Sequence, residues 1–286
     1  MKAFLGRVFL RSNLVFLRLL QMLGFQERQF PKHPFGRFPL ADLETYLRLW
    51  EKASSEIFPE LDRYEQENGF AVGAEWLNNL ALHTQVVVKT SELNWQHGRI
   101  LYAALRKRIQ RGLASSEKLA QFSVFETGTA RGFSAVCMAK ALVDASQPGN
   151  ITTLDILPHN VPMFWNCVDD LERAKTRQEL LEPWPEELSK VTFFQAWTGR
   201  FTNSVGVSRI HFAFLDAQHT QAAVSEEYKY VRDRQKKGDV IVFDDVSVST
   251  FDGVVRAVDE VEREGLYFIE RITGSGARGY AIAERL

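Results

Sequence analysis

The feature that most constrains this chain is a glycine-containing turn between two apolar runs. The run Phe122–Phe125 leads into Glu126-Thr127-Gly128-Thr129-Ala130-Arg131-Gly132, then a stretch with apolar residues at helical spacing (Ser134–Asp144), then the run Ile151–Leu154 and Asp155. This order predicts a strand, a turn, a helix and a second strand that ends in an acid. Gly128 and Gly132 lack a Cβ and allow close approach to a ligand, and Asp155 is placed to bind ribose hydroxyls. The segment predicts half of a nucleoside-binding α/β domain.

Length and composition narrow the class of protein. The 286 residues suit one large domain or one domain with an extension, and 45% hydrophobic residues suffice for a packed core. A net charge of −1 argues against a nucleic-acid-binding protein. The two cysteines, Cys137 and Cys167, have no metal-ligand spacing. We therefore expect a reducing compartment and a cytoplasmic location.

The first residues are both apolar and basic. Residues 1–24 form an apolar stretch that Arg7, Arg11 and Arg18 interrupt, and seven basic residues against Glu27 leave the first 37 residues with a net charge of +6. Three arginines argue against a membrane-spanning helix. Two alternatives stay open: a helix that lies on an anionic membrane surface, or a helix docked on protein, including a second copy of the chain.

The rest of the chain divides at about residue 115. Helical patterns dominate before it, so we expect a helical extension over 1–115 and an α/β domain over 116–286. In the second part, strands at 151–154, 191–194, 210–215 and 239–243 alternate with helical patterns, one of them predicted around Met163–Leu181, and a hairpin surrounds Gly274-Ser275-Gly276. This alternation predicts a mostly parallel sheet with ligands at the carboxyl ends of its strands.

The residues of the turn indicate which kind of ligand it can bind. Its pattern, Glu-x-Gly-x-x-x-Gly, departs from the Gly-x-Gly-x-x-Gly that accommodates a pyrophosphate. An acid before the turn, Glu126, suits a ligand that carries an amine or a sulfonium. At this point the chain resembles the class I S-adenosylmethionine-dependent methyltransferases, over about residues 91–286. The resemblance implies a Rossmann-like fold with a seven-stranded, mostly parallel sheet that ends in an antiparallel hairpin.

The resemblance also implies a cofactor site for S-adenosylmethionine. Glu126 and the turn with Gly128, Thr129 and Gly132 would hold its methionine part, and Asp155 would hold its ribose. The residues after the third strand, which include Trp197 and Thr198, would flank the adenine. For Trp197, a place in the apolar core is an equal alternative.

A second set of acids follows two later strands. Asp216 comes after Leu215, and Asp244 and Asp245 come after Phe243. Neighbouring parallel strands are about 4.8 Å apart, so these carboxylates can converge and would repel each other unless a cation or protons neutralise them. Oxygen ligands of this kind suit Mg²⁺. The alternative is that Asp245 caps the next segment and Asp216 binds backbone amides.

The spacing Asp216-x-x-His219, with Asp244-Asp245 after the next strand, resembles the Mg²⁺-dependent O-methyltransferases that act on macrolide sugars. This resemblance implies a metal on Asp216, Asp244 and Asp245, with His219 as the general base and Asp216 and His219 as catalytic residues. The catechol-type enzymes match less well, because they carry Asn where this chain has Asp245. For His219, capping of the following helix is the alternative.

We therefore predict an S-adenosylmethionine-dependent O-methyltransferase that acts on a hydroxyl of a small molecule, with a sugar as the candidate. Three alternatives remain: a nucleoside-binding α/β protein without methyl transfer, a metal-independent methyltransferase, and a membrane-surface enzyme for a lipid-linked acceptor. We expect no nucleic-acid partner, and a homo-oligomer is compatible with the helical extension.

Overall fold

The computed structural model describes residues 33–114, 121–196, 206–247, 249–273 and 278–286. Four predictions fall outside these residues: the basic segment 1–24 with its membrane contact, the boundary at residue 115, Trp197 with Thr198, and the Gly274–Gly276 turn. They stay predictions. Within the described ranges, none of the helices combines the length and the apolar character that a bilayer crossing needs.

In the described part of the chain, four helices precede the first strand: α1 (Leu43–Ser54), α2 (Pro59–Asn68), α3 (Ala74–Thr84) and α4 (His97–Ala114). Helix α1 begins at Asp42, whose Oδ1 accepts the N–H of Thr45 at 2.9 Å, the usual N-cap arrangement. The indole Nε1 of Trp95 donates to Oδ1 of Asn78 at 3.0 Å, which fixes the approach to α4. Helices α1 to α4 share one apolar core with the sheet, because residues of all four belong to the same buried cluster as β1.

The sheet has seven strands among the described residues: β1 (Phe122–Thr127), β2 (Gly149–Asp155), β3 (Val191–Gln195), β4 (Phe212–Leu215), β5 (Val240–Phe243), β6 (Tyr267–Thr273) and β7 (Gly279–Arg285). Their order is β3-β2-β1-β4-β5-β7-β6. The first five are parallel to their neighbours, and β7 runs antiparallel to both β5 and β6. The predicted fold class, with its terminal antiparallel hairpin, is confirmed.

Helices cover both faces of the sheet. Helix α5 (Phe133–Asp144) joins the cluster that holds Phe122 and Val124 of β1. Helices α8 (Gln221–Arg232) and α9 (Asp252–Glu264) join the cluster that holds Phe125. Neighbouring residues of β1 thus point to opposite faces, and the strands are apolar on both sides because both sides are buried.

The prediction of one helix around Met163–Leu181 is wrong. The chain instead forms a short 3-10 helix (Val168–Leu171), α6 (Arg177–Leu180) and α7 (Pro185–Leu188). The Asp170 carboxylate accepts the backbone N–H groups of Trp165, Asn166 and Cys167, and Asn166 has a positive φ of 55°. A side chain that binds nearby amides competes with helical hydrogen bonds. The helix that the apolar periodicity predicts therefore does not form.

Candidate active site

The predicted cofactor residues that the structure describes lie together at the carboxyl end of the sheet. Glu126 of β1 pairs with Thr153 of β2, and Asp155 lies two residues further along β2. Paired residues share a face, as do residues two apart on a strand. Glu126 and Asp155 therefore lie on the same face of the sheet. We call Glu126, the turn Gly128–Gly132 and Asp155 the cofactor half of the site.

The turn requires its two glycines. Gly128 has a φ of 91°, and a Cβ there would lie 2.1 Å from the backbone oxygen of Asp216. Gly132 has a φ of 95°, and a Cβ there would lie 2.7 Å from the side chain of Leu181. L-residues with side chains rarely adopt these φ values. The turn is thus pressed against the end of β4, which places the cofactor half beside Asp216.

Glu126 is a fully buried carboxyl group. Its Oε2 accepts the hydroxyl proton of Thr153, and Thr153 Oγ1 lies 2.5 Å from Thr129 Oγ1. Burial raises the pKa of Glu126 to about 7, against the opposing effects of Ser134 and Thr153. Its Oε1 has no hydrogen-bond partner among the described residues. A buried acceptor without a donor is costly, so this oxygen suits a ligand that brings an N–H.

Asp155 links the glycine turn to the segment after β2 by hydrogen bonds. Its Oδ2 accepts the N–H of Ala130 at 2.6 Å, and its Oδ1 accepts the N–H of Leu157 at 2.6 Å. Burial raises the pKa of Asp155, while Arg177 and these backbone amides act in the opposite direction. A carboxylate has about four lone-pair sites, so two bonds leave capacity for hydroxyl donors.

Two arginines near the turn have roles that the sequence did not assign. Arg177 is 1% exposed and its Nε donates to the carbonyl oxygen of Ala130 at 2.8 Å. Arg131, within the turn, donates from Nε to the carbonyl oxygen of Trp165 at 2.6 Å and covers the ring of Phe35. The sequence pattern predicted a helix around Arg177 that does not form, so it did not indicate that the Arg177 side chain reaches the turn.

The predicted metal and catalytic residues also lie together, after β4 and β5. His219 Nε2 is 3.0 Å from Asp245 Oδ2 and 4.0 Å from Asp216 Oδ1. One ligand atom from each of these three residues lies within 4.8 Å of the others. Asp244 lies next to this cluster, and its Oδ1 accepts the N–H of Asp245 at 2.8 Å. We call Asp216, His219, Asp244 and Asp245 the acidic half of the site.

The carboxyl groups of the acidic half all have raised pKa values. Burial, followed by the charges of Asp244 and Asp245, raises the pKa of Asp216 well above its ordinary value. Burial and Asp245 raise the pKa of Asp244 to about 7. Arg278 opposes both shifts, but its Nε is 3.8 Å from Asp245 Oδ1, too far for a hydrogen bond. Oδ1 of Asp245 has no hydrogen-bond partner among the described residues.

The capping alternatives for these residues are wrong. Helix α8 is capped by Thr220, whose hydroxyl accepts the N–H of Ala223, and not by His219. Helix α9 has Phe251 at its N-cap position, and not Asp245. Asp245 instead has a positive φ of 55°, a strained conformation that recurs at functional sites.

The comparisons with known proteins agree with this geometry. Residues 125–246, from β1 to just after Asp244-Asp245, match a protein family described as a methyltransferase domain. Over these residues the chain matches a methyltransferase domain, and its sheet order agrees with a Rossmann-like methyltransferase fold. No curated protein matches the sequence at a significant level.

Solved structures similar to this methyltransferase domain show the fold. The O-methyltransferase TomG from Streptomyces achromogenes, in complex with SAM, is 16% identical with a TM-score of 0.51, over 76% of this chain and 92% of TomG. Cofactor-bound Rv0187 from MTB is 17% identical with a TM-score of 0.50, over 74% and 88% of the two chains. The O-methyltransferase NovP is 12% identical with a TM-score of 0.50, over 74% and 98%.

The cofactor half fits S-adenosylmethionine by its chemistry. The turn leaves no room for a Cβ at Gly128, so backbone can approach a ligand closely. The free Oε1 of Glu126 is an acceptor for an ammonium group, and the remaining lone pairs of Asp155 are acceptors for ribose hydroxyls. The roles of the individual residues stay predictions, and Trp197 and Thr198 lie outside the described residues.

Proposed function

We propose that this methyltransferase transfers the methyl group of S-adenosylmethionine to a hydroxyl of a small molecule, with a sugar hydroxyl as the acceptor. In this proposal Asp216, Asp244 and Asp245 hold Mg²⁺, and His219 is the general base. The observation that carries it is the cluster of Asp216, His219 and Asp245, whose ligand atoms lie within 4.8 Å of one another, directly beside the Gly128 turn.

Support for oxygen as the accepting atom comes from proteins with the same fold. TomG and NovP are both O-methyltransferases. The acidic half is consistent with this reaction, since a hydroxyl acceptor must lose a proton when it is methylated, and carboxylates with a histidine are suited to remove it.

The acidic half also suits a divalent cation. Burial raises the pKa values of all three carboxyl groups, neighbouring carboxylates raise those of Asp216 and Asp244 further, and Asp245 Oδ1 has no hydrogen-bond partner among the described residues. Carboxylate oxygens are the preferred ligands of Mg²⁺. When bound, Mg²⁺ would lower the pKa of a coordinated hydroxyl and orient it.

His219 is placed to take the acceptor's proton. Its Nε2 faces Asp245 at 3.0 Å, so an ionised Asp245 fixes the tautomer that carries its proton on Nε2. Nδ1 then keeps its lone pair for the hydroxyl proton. In the complete reaction the methyl group leaves the sulfonium for the acceptor oxygen, the proton moves to His219, and S-adenosylhomocysteine is released.

The first experiment measures S-adenosylhomocysteine formation with a panel of acceptors, in Mg²⁺ and in EDTA. The panel contains sugars, glycosides and catechols, with amines and thiols for comparison. We expect turnover with a sugar hydroxyl, and loss of that turnover in EDTA. Equal rates in EDTA would remove the metal from the proposal, and turnover with amines or thiols alone would remove O-methylation.

The second experiment assigns His219. We expect His219→Ala to lower turnover by about 100-fold to 10,000-fold, the usual contribution of a general base, while the Kd values for Mg²⁺ and S-adenosylhomocysteine stay within about twofold by titration calorimetry. Exposed His33 provides the matched control, His33→Ala. A loss of Mg²⁺ affinity in His219→Ala would instead make His219 a metal ligand.

A further inference from the structure

Asp155 and Arg177 bind the same two residues from opposite sides. The Asp155 carboxylate accepts the N–H groups of Ala130 and Leu157, each at 2.6 Å. The Arg177 guanidinium donates to their carbonyl oxygens, with Nε 2.8 Å from Ala130 O and both terminal nitrogens 3.5 Å from Leu157 O. The four residues form a closed ring that ties the glycine turn to the segment after β2.

The ring holds a strained residue. Ala130 has a φ of 45°, in the left-handed region, which favours glycine and is uncommon for alanine. A conformation of this kind persists only when its surroundings determine it. At Ala130 both backbone polar groups are engaged, the N–H by Asp155 and the C=O by Arg177, so the two side chains together hold the turn.

Arg177 is itself rigidly placed. It is the first residue of α6, where Thr176 and Glu179 form a reciprocal capping box. Its guanidinium lies over the rings of Trp165 and Phe193, at 5.5 Å and 5.7 Å from their centroids. An arginine side chain fixed in this way loses little further entropy when it makes its hydrogen bonds. Arg177 can therefore impose a conformation on the turn.

We propose that Arg177 is a positioning residue for the cofactor: it keeps Ala130 in its left-handed conformation, and so keeps the turn and Asp155 in the geometry that binds S-adenosylmethionine. Arg177 acts through Ala130 and Asp155 and does not contact the reacting atoms. The inference rests on cofactor binding by the methyltransferase domain. It is independent of the acceptor, the metal and the role of His219.

Titration calorimetry with S-adenosylhomocysteine tests this directly, because the readout needs neither acceptor nor Mg²⁺. We expect Arg177→Met to raise the Kd about tenfold, a factor within the range set by the strain of a left-handed alanine. Arg177→Lys keeps the charge and one hydrogen bond, and should raise the Kd less. The control is Arg63→Met, since Arg63 is exposed on α2 and only faces Glu67 at 4.0 Å.

A second substitution separates positioning from simple packing. Glycine adopts a positive φ without strain, so Ala130→Gly should remove the need for Arg177. The Ala130→Gly single variant is the reference for this comparison, and we expect Arg177→Met to raise the Kd for S-adenosylhomocysteine less in the Ala130→Gly background than in the natural protein. If Arg177→Met does not fold, the Arg177→Lys and Arg177→Lys/Ala130→Gly pair gives the same comparison.

Two results would overturn the proposal. One is an unchanged Kd in folded Arg177→Met. The other is a rise in Kd that is equally large in the Ala130→Gly background, because Arg177 would then act only through its packing between Trp165 and Phe193. Failure of the proposed O-methylation, by contrast, would leave all of these Kd values unaffected.

Discussion

The two halves of the site lie on neighbouring strands at one edge of the sheet. They differ in the groups that stabilise their carboxylates. In the cofactor half, Asp155 accepts two backbone N–H groups and Glu126 accepts from Thr153, with Arg177 close by. In the acidic half, burial and neighbouring carboxylates raise the pKa values of Asp216 and Asp244, and Arg278 Nε lies 3.8 Å from Asp245 Oδ1. In the first half the chain supplies hydrogen-bond donors to both acids, and only Oε1 of Glu126 is left without one among the described residues. The second half requires protons or a cation.

The difference explains what each half can bind. Hydrogen bonds that already hold Asp155 orient its remaining lone pairs, which suits recognition of hydroxyl groups on a neutral sugar. Carboxylates that repel one another gain most from a bound cation, since the cation removes the repulsion. If this comparison is correct, each half can be disabled without affecting the ligand of the other.

The largest effect is expected from Asp245→Asn, which removes a charge from the centre of the acidic half. We expect Mg²⁺ affinity and turnover to fall by at least about 100-fold, since a ligand oxygen and the partner of His219 are both lost. The Kd for S-adenosylhomocysteine should stay within about twofold. Asp252→Asn is the control, because Asp252 is exposed and pairs with Arg256 on α9. Unchanged Mg²⁺ affinity would refute the metal site.

The next effect is the reverse case, Asp155→Ala in the cofactor half. We expect the Kd for S-adenosylhomocysteine to rise by about tenfold or more, because a ribose acceptor is lost together with two charge-assisted bonds to the backbone. Mg²⁺ affinity should not change. Asp233→Ala, at an exposed position paired with Arg232, controls for the loss of a carboxylate. A parallel loss of both affinities would mean that the halves are not independent.

A pH effect of intermediate size is expected from Glu126. Its pKa is raised to about 7 by burial, so between its unfolded pKa near 4.5 and pH 7 the folded protein binds more protons than the unfolded chain. The free energy of unfolding of the cofactor-free protein therefore decreases as the pH rises through this window, by about 3 kcal/mol for this group.

Thermal unfolding between pH 5 and pH 8 measures this contribution. We expect Glu126→Gln to flatten the decrease, because glutamine does not ionise and occupies the same space. S-adenosylhomocysteine should reduce the decrease in the natural protein, since its ammonium group would compensate the ionised carboxylate. An identical pH slope in the variant would show that Glu126 is not the group responsible.

The smallest effect should come from Arg278→Met. The side chain is 29% exposed, so its interaction with the acids is partly screened. Removing its charge should leave the acidic half more negative and strengthen Mg²⁺ binding by about threefold, the opposite direction to Asp245→Asn. Weaker Mg²⁺ binding would instead indicate that Arg278 organises the carboxylates.

The order of strands, turn and acids was predictable because each signal is local. Apolar runs of four to six residues, the two glycines and an acid directly after each run are enough to predict β1, β2, β4 and β5 and to place Asp155, Asp216 and Asp244 at one edge. The prediction failed where a side chain competes with the backbone hydrogen bonds that the local pattern predicts. The helix expected at 163–181 is absent because Asp170 binds the amides that such a helix would use.

The amino-acid sequence by itself determined the α/β fold and which acids reach the carboxyl edge of the sheet, since alternation along strands and helices depends on neighbours in the chain. Only the tertiary structure decided which groups face those acids. Arg177 reaches Ala130 across 47 residues of sequence, and His219 reaches Asp245 across 26. Contacts of this kind depend on the path of the connecting segments, which the local sequence pattern does not encode.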